Sequence, residues 1–281
     1  MESPVFERLD LTVGDLHFDA LADGPADGDL VLLLHGFPES AAEWTHVLPR
    51  LAAAGYRAVA PNQRGYASGA RPAGVAAYHI DHLVADVAGM ADTLGASRFH
   101  LVGHDWGALV SWAFADRHPE RLRTLTIVSV PHPQPFAAAR ASDPDQQARS
   151  TYIQGFRDDP AADRAFLADD AALLKLALAE AGPEILAEHL RVLTDPGALD
   201  AGLNYYRAWG AELDGTGPIS VPTLYVWSDA DVALGRVPAE QTADWVTGPY
   251  RFEIVAGVSH WIPEVVPDEL SALILEQLAA R

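Results

Sequence analysis

The stretch Phe99-His100-Leu101-Val102-Gly103-His104-Asp105-Trp106-Gly107-Ala108-Leu109-Val110 decides how the rest of the chain is read. A short apolar run comes first, a longer apolar segment reaching Phe114 follows, and an acid stands where the two meet. The first run reads as a buried strand and the second, free of proline, as a buried helix. Gly103 and Gly107 lie two residues to either side of Asp105. A strand that turns straight into a helix strains the apex residue and brings the two arms too close for side chains, so glycine at both places has a steric reason. The pattern is G-x-D-x-G, a nucleophile elbow with aspartate where serine is usual. A plainer reading is that Asp105 only caps the helix, since aspartate is a favoured N-cap. On this stretch alone both readings stand.

Upstream, residues 30–34 form a second continuous apolar run, as a parallel strand covered on both faces requires. It ends at His35-Gly36-Phe37-Pro38-Glu39-Ser40. Before it, residues 9–13 and 16–20 alternate apolar with polar around Gly14, which predicts a hairpin at an antiparallel edge. A helix is expected over 41–53, a strand over 56–60, a loop through Arg64-Gly65-Tyr66 and a helix over 80–94. Downstream of the elbow, 122–130 reads as the next strand. Between 131 and 218 no convincing strand occurs, while 161–178 and 183–193 show helical spacing. Strands resume at 221–227 and 251–255, and a helix over 267–280 follows. The fold class expected is α/β, a mostly parallel central sheet wrapped by helices. Residues 1–130 and 219–281 would form the core, and 131–218 a helical cap over the carboxyl ends of the strands, where ligands bind in open α/β sheets.

Composition narrows the partners. The 281 residues are 49% hydrophobic, enough for a large single core with an insertion. Acidic residues outnumber basic ones 39 to 19, giving a formal charge of -20 that argues against nucleic acid or an anionic membrane as partner. With no cysteine, disulfides and thiolate zinc sites are excluded, which fits a reducing compartment. The first eight residues lack the basic and apolar regions of a signal peptide, and no apolar run is long enough to span a bilayer, so a cytoplasmic location is expected.

Two further residues join the elbow. Asp231 follows the strand at 221–227 and His260 follows the strand at 251–255, so the chain order is nucleophile, acid, histidine. Eleven histidines are present, but only His260 stands in this position after an apolar strand. Asp229 competes for the acid role, and either aspartate would also serve as a turn residue.

From about residue 30 to 275 the chain resembles the α/β-hydrolase superfamily, specifically its epoxide hydrolase branch. The matching residues are His35-Gly36-Phe37-Pro38-Glu39, the elbow Gly103-His104-Asp105-Trp106-Gly107, Val130-Pro131-His132-Pro133, Asp231 and His260. Inside the cap, Tyr152-Ile153-Gln154-Gly155-Phe156 and Leu203-Asn204-Tyr205-Tyr206-Arg207 are similar to the family's two lid-tyrosine segments. The resemblance implies lid donors at Tyr152 and Tyr206, with Tyr205 the alternative to Tyr206, and a cis Phe37-Pro38 bond. Departures are Ala67 where glycine is usual and Thr151 where an aromatic often stands, the second bearing on substrate size.

These residue types suit ring opening. A serine attacking an epoxide carbon would leave an ether; aspartate leaves an ester that water can cleave. The resemblance implies that Asp105 opens the ring, that Tyr152 and Tyr206 protonate the alkoxide, and that His260, oriented by Asp231, activates water. Backbone N–H groups of Phe37 and Trp106 would hold the tetrahedral oxyanion. The same four residues, Phe37, Trp106, Tyr152 and Tyr206, would line the substrate site. No metal or organic cofactor is needed, and no phosphate loop or dinucleotide fingerprint is seen. The partners implied are a small-molecule epoxide and water; the oligomeric state has no signal. A haloalkane dehalogenase is the nearest rival, sharing Asp105, His260 and Trp106, although family dehalogenases often carry asparagine at the place of Phe37. Fluoroacetate-type dehalogenases carry arginine where Trp106 stands, and an esterase would need serine at 105. A hydrolase-fold ligand-binding protein without turnover is a third reading.

Overall fold

In the computed structural model, residues 6–279 are described; Ala280 of the expected last helix and the outermost residues of the expected core lie outside them. Eight strands among these residues form one sheet: β1 Glu7–Val13, β2 Leu16–Asp23, β3 Leu30–Leu34, β4 Arg57–Pro61, β5 Phe99–His104, β6 Leu122–Val128, β7 Thr223–Ser228 and β8 Tyr250–Val255. Their order is β1-β2-β4-β3-β5-β6-β7-β8. The β1–β2 hairpin pairs antiparallel and β2 meets β4 antiparallel, while every pair from β4 through β8 is parallel. The alternating hairpin thus forms one edge, and the unbroken apolar runs take the middle.

Strand periodicity sorts the core into two layers. In β3, Leu30, Leu32 and Leu34 join one cluster while Val31 and Leu33 join the other. Helices α1 Leu48–Ala53, α2 Ile80–Thr93 and α3 Trp106–Arg117 follow β3, β4 and β5. The segment between β6 and β7 contains α4 Pro133–Ser142, α5 Pro144–Arg149, α6 Thr151–Asp158, α7 Ala162–Ala177, α8 Pro183–Leu193, α9 Ala198–Arg207 and α10 Ala211–Asp214. Beyond β7 come α11 Arg236–Gln241, α12 Ile262–Val265 and α13 Pro267–Ala279. Leu48 and Leu51 of α1 pack with Leu270 and Ile274 of α13 on one face. Leu83 and Val87 of α2, Leu109 and Trp112 of α3, and Leu199 and Leu203 of the insertion belong to the other cluster.

Three local expectations are revised. The helix expected over 41–53 is a 3₁₀ turn, Ala41–His46, capped by Ser40, followed by α1 with Pro49 in its first turn. Proline lacks the N–H that a continuous helix would need there, so the helix restarts. The strand expected over 122–130 stops at Val128, because Ser129 adopts φ 69°. Helix α7 is broken at 168–171, where Asp169, Asp170 and Ala171 have positive φ. Helices α4, α5, α6, α9 and α10 lie where no helix had been singled out.

Candidate active site

Asp105 sits between β5 and α3 with φ 47° and ψ −117°. Such a conformation costs on the order of 1–3 kcal/mol and persists only where its surroundings enforce it. They do so by close packing: a Cβ on Gly103 would lie 2.3 Å from the Gly107 carbonyl oxygen, and one on Gly107 would lie 2.2 Å from that of Leu34. The helix-cap reading of Asp105 is corrected, since its side chain makes no capping hydrogen bond. Its Oδ1 instead accepts the Phe37 N–H at 2.8 Å from the loop beyond β3. Phe37 precedes Pro38 through a cis bond. Trp106 is the first residue of α3, where helix geometry leaves the amide without an intrahelical acceptor.

The other carboxylate and the histidine arrive on the loops after β7 and β8. His260 Nε2 lies 3.4 Å from Asp105 Oδ2, and its Nδ1 is 2.7 Å from Asp231 Oδ2. The second oxygen of Asp231 accepts the amides of Ala233 and Leu234 at 2.7 and 3.0 Å, so this buried carboxylate is satisfied on both sides. Asp229 is elsewhere: its carboxylate accepts the exposed Gly257 N–H. Asp105, Asp231 and His260 are 7%, 1% and 5% exposed. Burial pushes the Asp105 carboxyl up, but the hydrogen bond and charge of His260, with His104 and the Phe37 amide, outweigh it and hold it below its ordinary value. Burial likewise opposes the His260 imidazolium, yet Asp231 and Asp105 hold its pKa well above the ordinary one. Both shifts favour the charged forms, carboxylate at Asp105 and imidazolium at His260.

Tyr206 of α9 and Tyr152 of α6 approach one another within reach of the Asp105 charge. Their ring centroids are 6.2 Å apart, and Tyr206 packs edge-on against Trp106 at 5.0 Å and Phe37 at 5.4 Å. Burial, then the Asp105 charge, raises both phenols. The Tyr205 ring also packs edge-on against Trp106, at 5.4 Å, but its hydroxyl is donated to the Arg64 carbonyl at 2.9 Å. Phe156 and Phe166 complete an aromatic cover over Phe37, at 5.6 and 5.8 Å.

Around His104, the residue before Asp105, lies a polar cluster to which sequence reasoning gave no role. His104 Nε2 faces the His260 carbonyl oxygen at 3.0 Å, which fixes that nitrogen as the donor. Its Nδ1 lies 3.1 Å from Glu39 Oε2 and 3.2 Å from Glu43 Oε1. His189 of α8 bridges Ser40 Oγ at 2.9 Å and Glu264 Oε1 at 2.8 Å. All of these acidic and imidazole side chains are buried, and burial, aided by neighbouring carboxylates, raises Glu39 and Glu43 well above the usual range. Donor atoms of Glu39, Glu43 and His104, and of Glu39, His189 and Glu264, come within 4.8 Å of one another, a spacing at which a metal ion could be shared. The hydrogen bonds just described already engage both imidazoles. Glu39 and His104 fall inside motifs quoted from the sequence; Glu43, His189 and Glu264 carry no local signal.

A cavity of about 720 Å³ lies apart from this centre, between β2, the 3₁₀ turn and α8. It shares Ser40 with the buried cluster, but neither Asp105, His260, Tyr152 nor Tyr206 lines it.

Known proteins resemble this chain in sequence and in fold. The family model described as alpha/beta hydrolase fold matches residues 29–180. The chain is 33% identical to epoxide hydrolase A of Mycobacterium tuberculosis, covering 97% of both chains. It is also 33% identical to epoxide hydrolase 4 of Mus musculus, covering 92% of this chain and 75% of the mouse protein. Among solved structures, one of the novel epoxide hydrolases from metagenomes of hot environments superposes with a TM-score of 0.87 at 32% identity, covering 99% of this chain and 100% of that one. Elbow, sheet order and relatives coincide, and the chain belongs to the epoxide hydrolase branch of the α/β-hydrolase superfamily.

Proposed function

We propose that this protein hydrolyses an epoxide to a vicinal diol through a covalent ester on Asp105. The observation that carries the reading is the pairing of Tyr152 and Tyr206 in a site where the Asp105 carboxyl faces His260. Asp105 Oδ2 attacks a ring carbon, the carbon–oxygen bond breaks, and one tyrosine gives its proton to the alkoxide. Esterification removes one of the two carboxylate charges that hold the His260 proton, so His260 can return that proton to the phenolate and become a base. It then takes a proton from water as the water oxygen attacks Asp105 Cγ. Charge gathers on Oδ1, already against the Phe37 N–H, with the Trp106 N–H as second donor. Collapse breaks the ester, the carboxylic acid proton passes to the departing alkoxide, and carboxylate, imidazolium and phenol are restored.

Asp231 keeps His260 oriented, a role its 2.7 Å contact supports. Residues 131–218 act as the cap that supplies both tyrosines, on a core of 1–130 and 219–281. The haloalkane dehalogenase reading is less well supported, because halide departure needs no proton and would leave the tyrosine pair idle. Among the described residues no helix is long and apolar enough to cross a membrane, and the absence of cysteine supports a cytoplasmic setting.

The test is the intact mass of the His260→Gln protein after exposure to pooled epoxides or pooled bromoalkanes, with Asp105→Ala as control. A hydroxyalkyl adduct mapped to Asp105 is expected. An alkyl adduct from bromoalkanes alone would move the assignment to a dehalogenase, and no adduct from either pool would favour a ligand-binding protein.

A further inference from the structure

We infer that Glu43 is a positioning residue for the ester-hydrolysis half of this reaction, holding the Gly36 amide so that the next amide, Phe37 N–H, stays aimed at Asp105 Oδ1. The inference rests on the ester mechanism proposed above. Two successive amides of one loop are held from opposite sides: Gly36 N–H donates to Glu43 Oε2 at 3.0 Å, and Phe37 N–H donates to Asp105 Oδ1 at 2.8 Å. This loop lies beyond the end of β3, where no ladder fixes its backbone.

Residue 36 also has to be glycine, because a Cβ there would lie 2.5 Å from Asp105 Cβ and 2.8 Å from Glu39 Oε2. Glycine leaves the backbone freer than any other residue, so an external clamp has the most to do at this place. The other oxygen of Glu43 lies 3.2 Å from His104 Nδ1 without making a hydrogen bond, and His104 in turn donates to the His260 carbonyl. One buried carboxyl therefore touches both the loop that stabilises the oxyanion and the support of the loop that delivers the base. Its side chain has no exposure, and nothing in the ester chemistry otherwise uses it. Burial favours its protonated form, which glutamine imitates closely in shape and hydrogen bonding.

The two half-reactions separate this role from a merely structural one. During ring opening the charge on Oδ1 decreases, so a misplaced Phe37 amide does little harm; during hydrolysis the charge on Oδ1 grows, and the amide must be in place. Single-turnover kinetics of Glu43→Ala, Glu43→Asp and Glu43→Gln, following ester formation and decay, provide the measurement. Glu43→Asp retains a carboxyl but withdraws it by one methylene, and it serves if the alanine variant does not fold. Alanine and aspartate are expected to slow ester decay about 10- to 100-fold while leaving ester formation within about threefold, and glutamine to restore decay to within about threefold of wild type. Unchanged decay in either shortened variant, an equal slowing of both steps, or failure of glutamine to restore the rate would overturn the inference. A wild-type protein that formed no ester would remove the proposed reaction and this role together, whereas a wild-type ester with decay insensitive to residue 43 would remove the role alone.

Discussion

At the scale of single residues, the two aspartates after β7 differ by where their oxygens point. Asp231 has one oxygen on His260 and the other on two backbone amides, while Asp229 closes an exposed turn. Asp231→Asn is expected to slow ester hydrolysis about a thousandfold or more, since an amide there favours the wrong imidazole tautomer. Asp229→Asn should stay within about threefold of wild type. Stopped-flow decay of the ester in the two variants checks this, and the opposite ranking would transfer the role. Glu43 lends itself to a pH experiment. Its carboxyl ionises near 4.5 when unhindered, but burial, then the Glu264 charge, holds it protonated in the fold well above that value. As pH rises between the ordinary and the raised value, the unfolded chain releases this proton and the folded one does not, so stability falls by about 1.4 kcal/mol per pH unit from this group. Glu43→Gln removes that loss. Urea denaturation at about pH 5 and about pH 8 should find the variant gaining on wild type as pH rises; a constant difference would mean that the buried carboxyl ionises in place. Asp105 could be read from sequence because its signal is local, two glycines at fixed distance. Glu43 could not, because its neighbour His104 meets it only after β3 and β5 pair, and its bond to Gly36 depends on how the loop between them folds.

Among elements, the turn from β5 into α3 has the least tolerance. Gly107 faces the end of β3 so closely that Gly107→Ala would drive a methyl into the Leu34 carbonyl. A loss of at least about 3 kcal/mol in urea unfolding is expected; a variant as stable as wild type would show that the helix can back away from the sheet. The central strands were legible for a related reason. Residues buried on both faces leave an unbroken apolar run in the sequence, and β3 and β5 are buried throughout. The insertion was less legible. Helices α6 and α9 hold the two tyrosines and are amphipathic, but at 8 and 10 residues each offers fewer than three turns of periodicity to read. Periodicity over 161–178 also gave no warning of the break at Asp169 and Asp170, since neither glycine nor proline marks it.

Over the whole molecule, the insertion is joined to the sheet domain by polar contacts as well as by the aromatic cover. Tyr205 donates to the Arg64 carbonyl, His189 spans Ser40 and Glu264, and Arg71 donates to Asp195 and to the Pro196 carbonyl. A mostly parallel sheet was accessible from the alternation of elements, but these ties were not, because each joins residues more than a hundred positions apart or depends on a loop. The aromatic cover has a kinetic meaning. Asp105 and His260 are almost wholly buried, and Phe156 and Phe166 pack together in the cover over Phe37, so swinging these rings aside would open a way in for an epoxide and out for a diol. Turnover of a reactive substrate should then be paced by the breathing of the cover. Adding sucrose as a viscogen should lower kcat for the fastest epoxides and leave slow ones unaffected; insensitivity in both would make bond chemistry the slow event. Catalysis in this protein would keep time with a door.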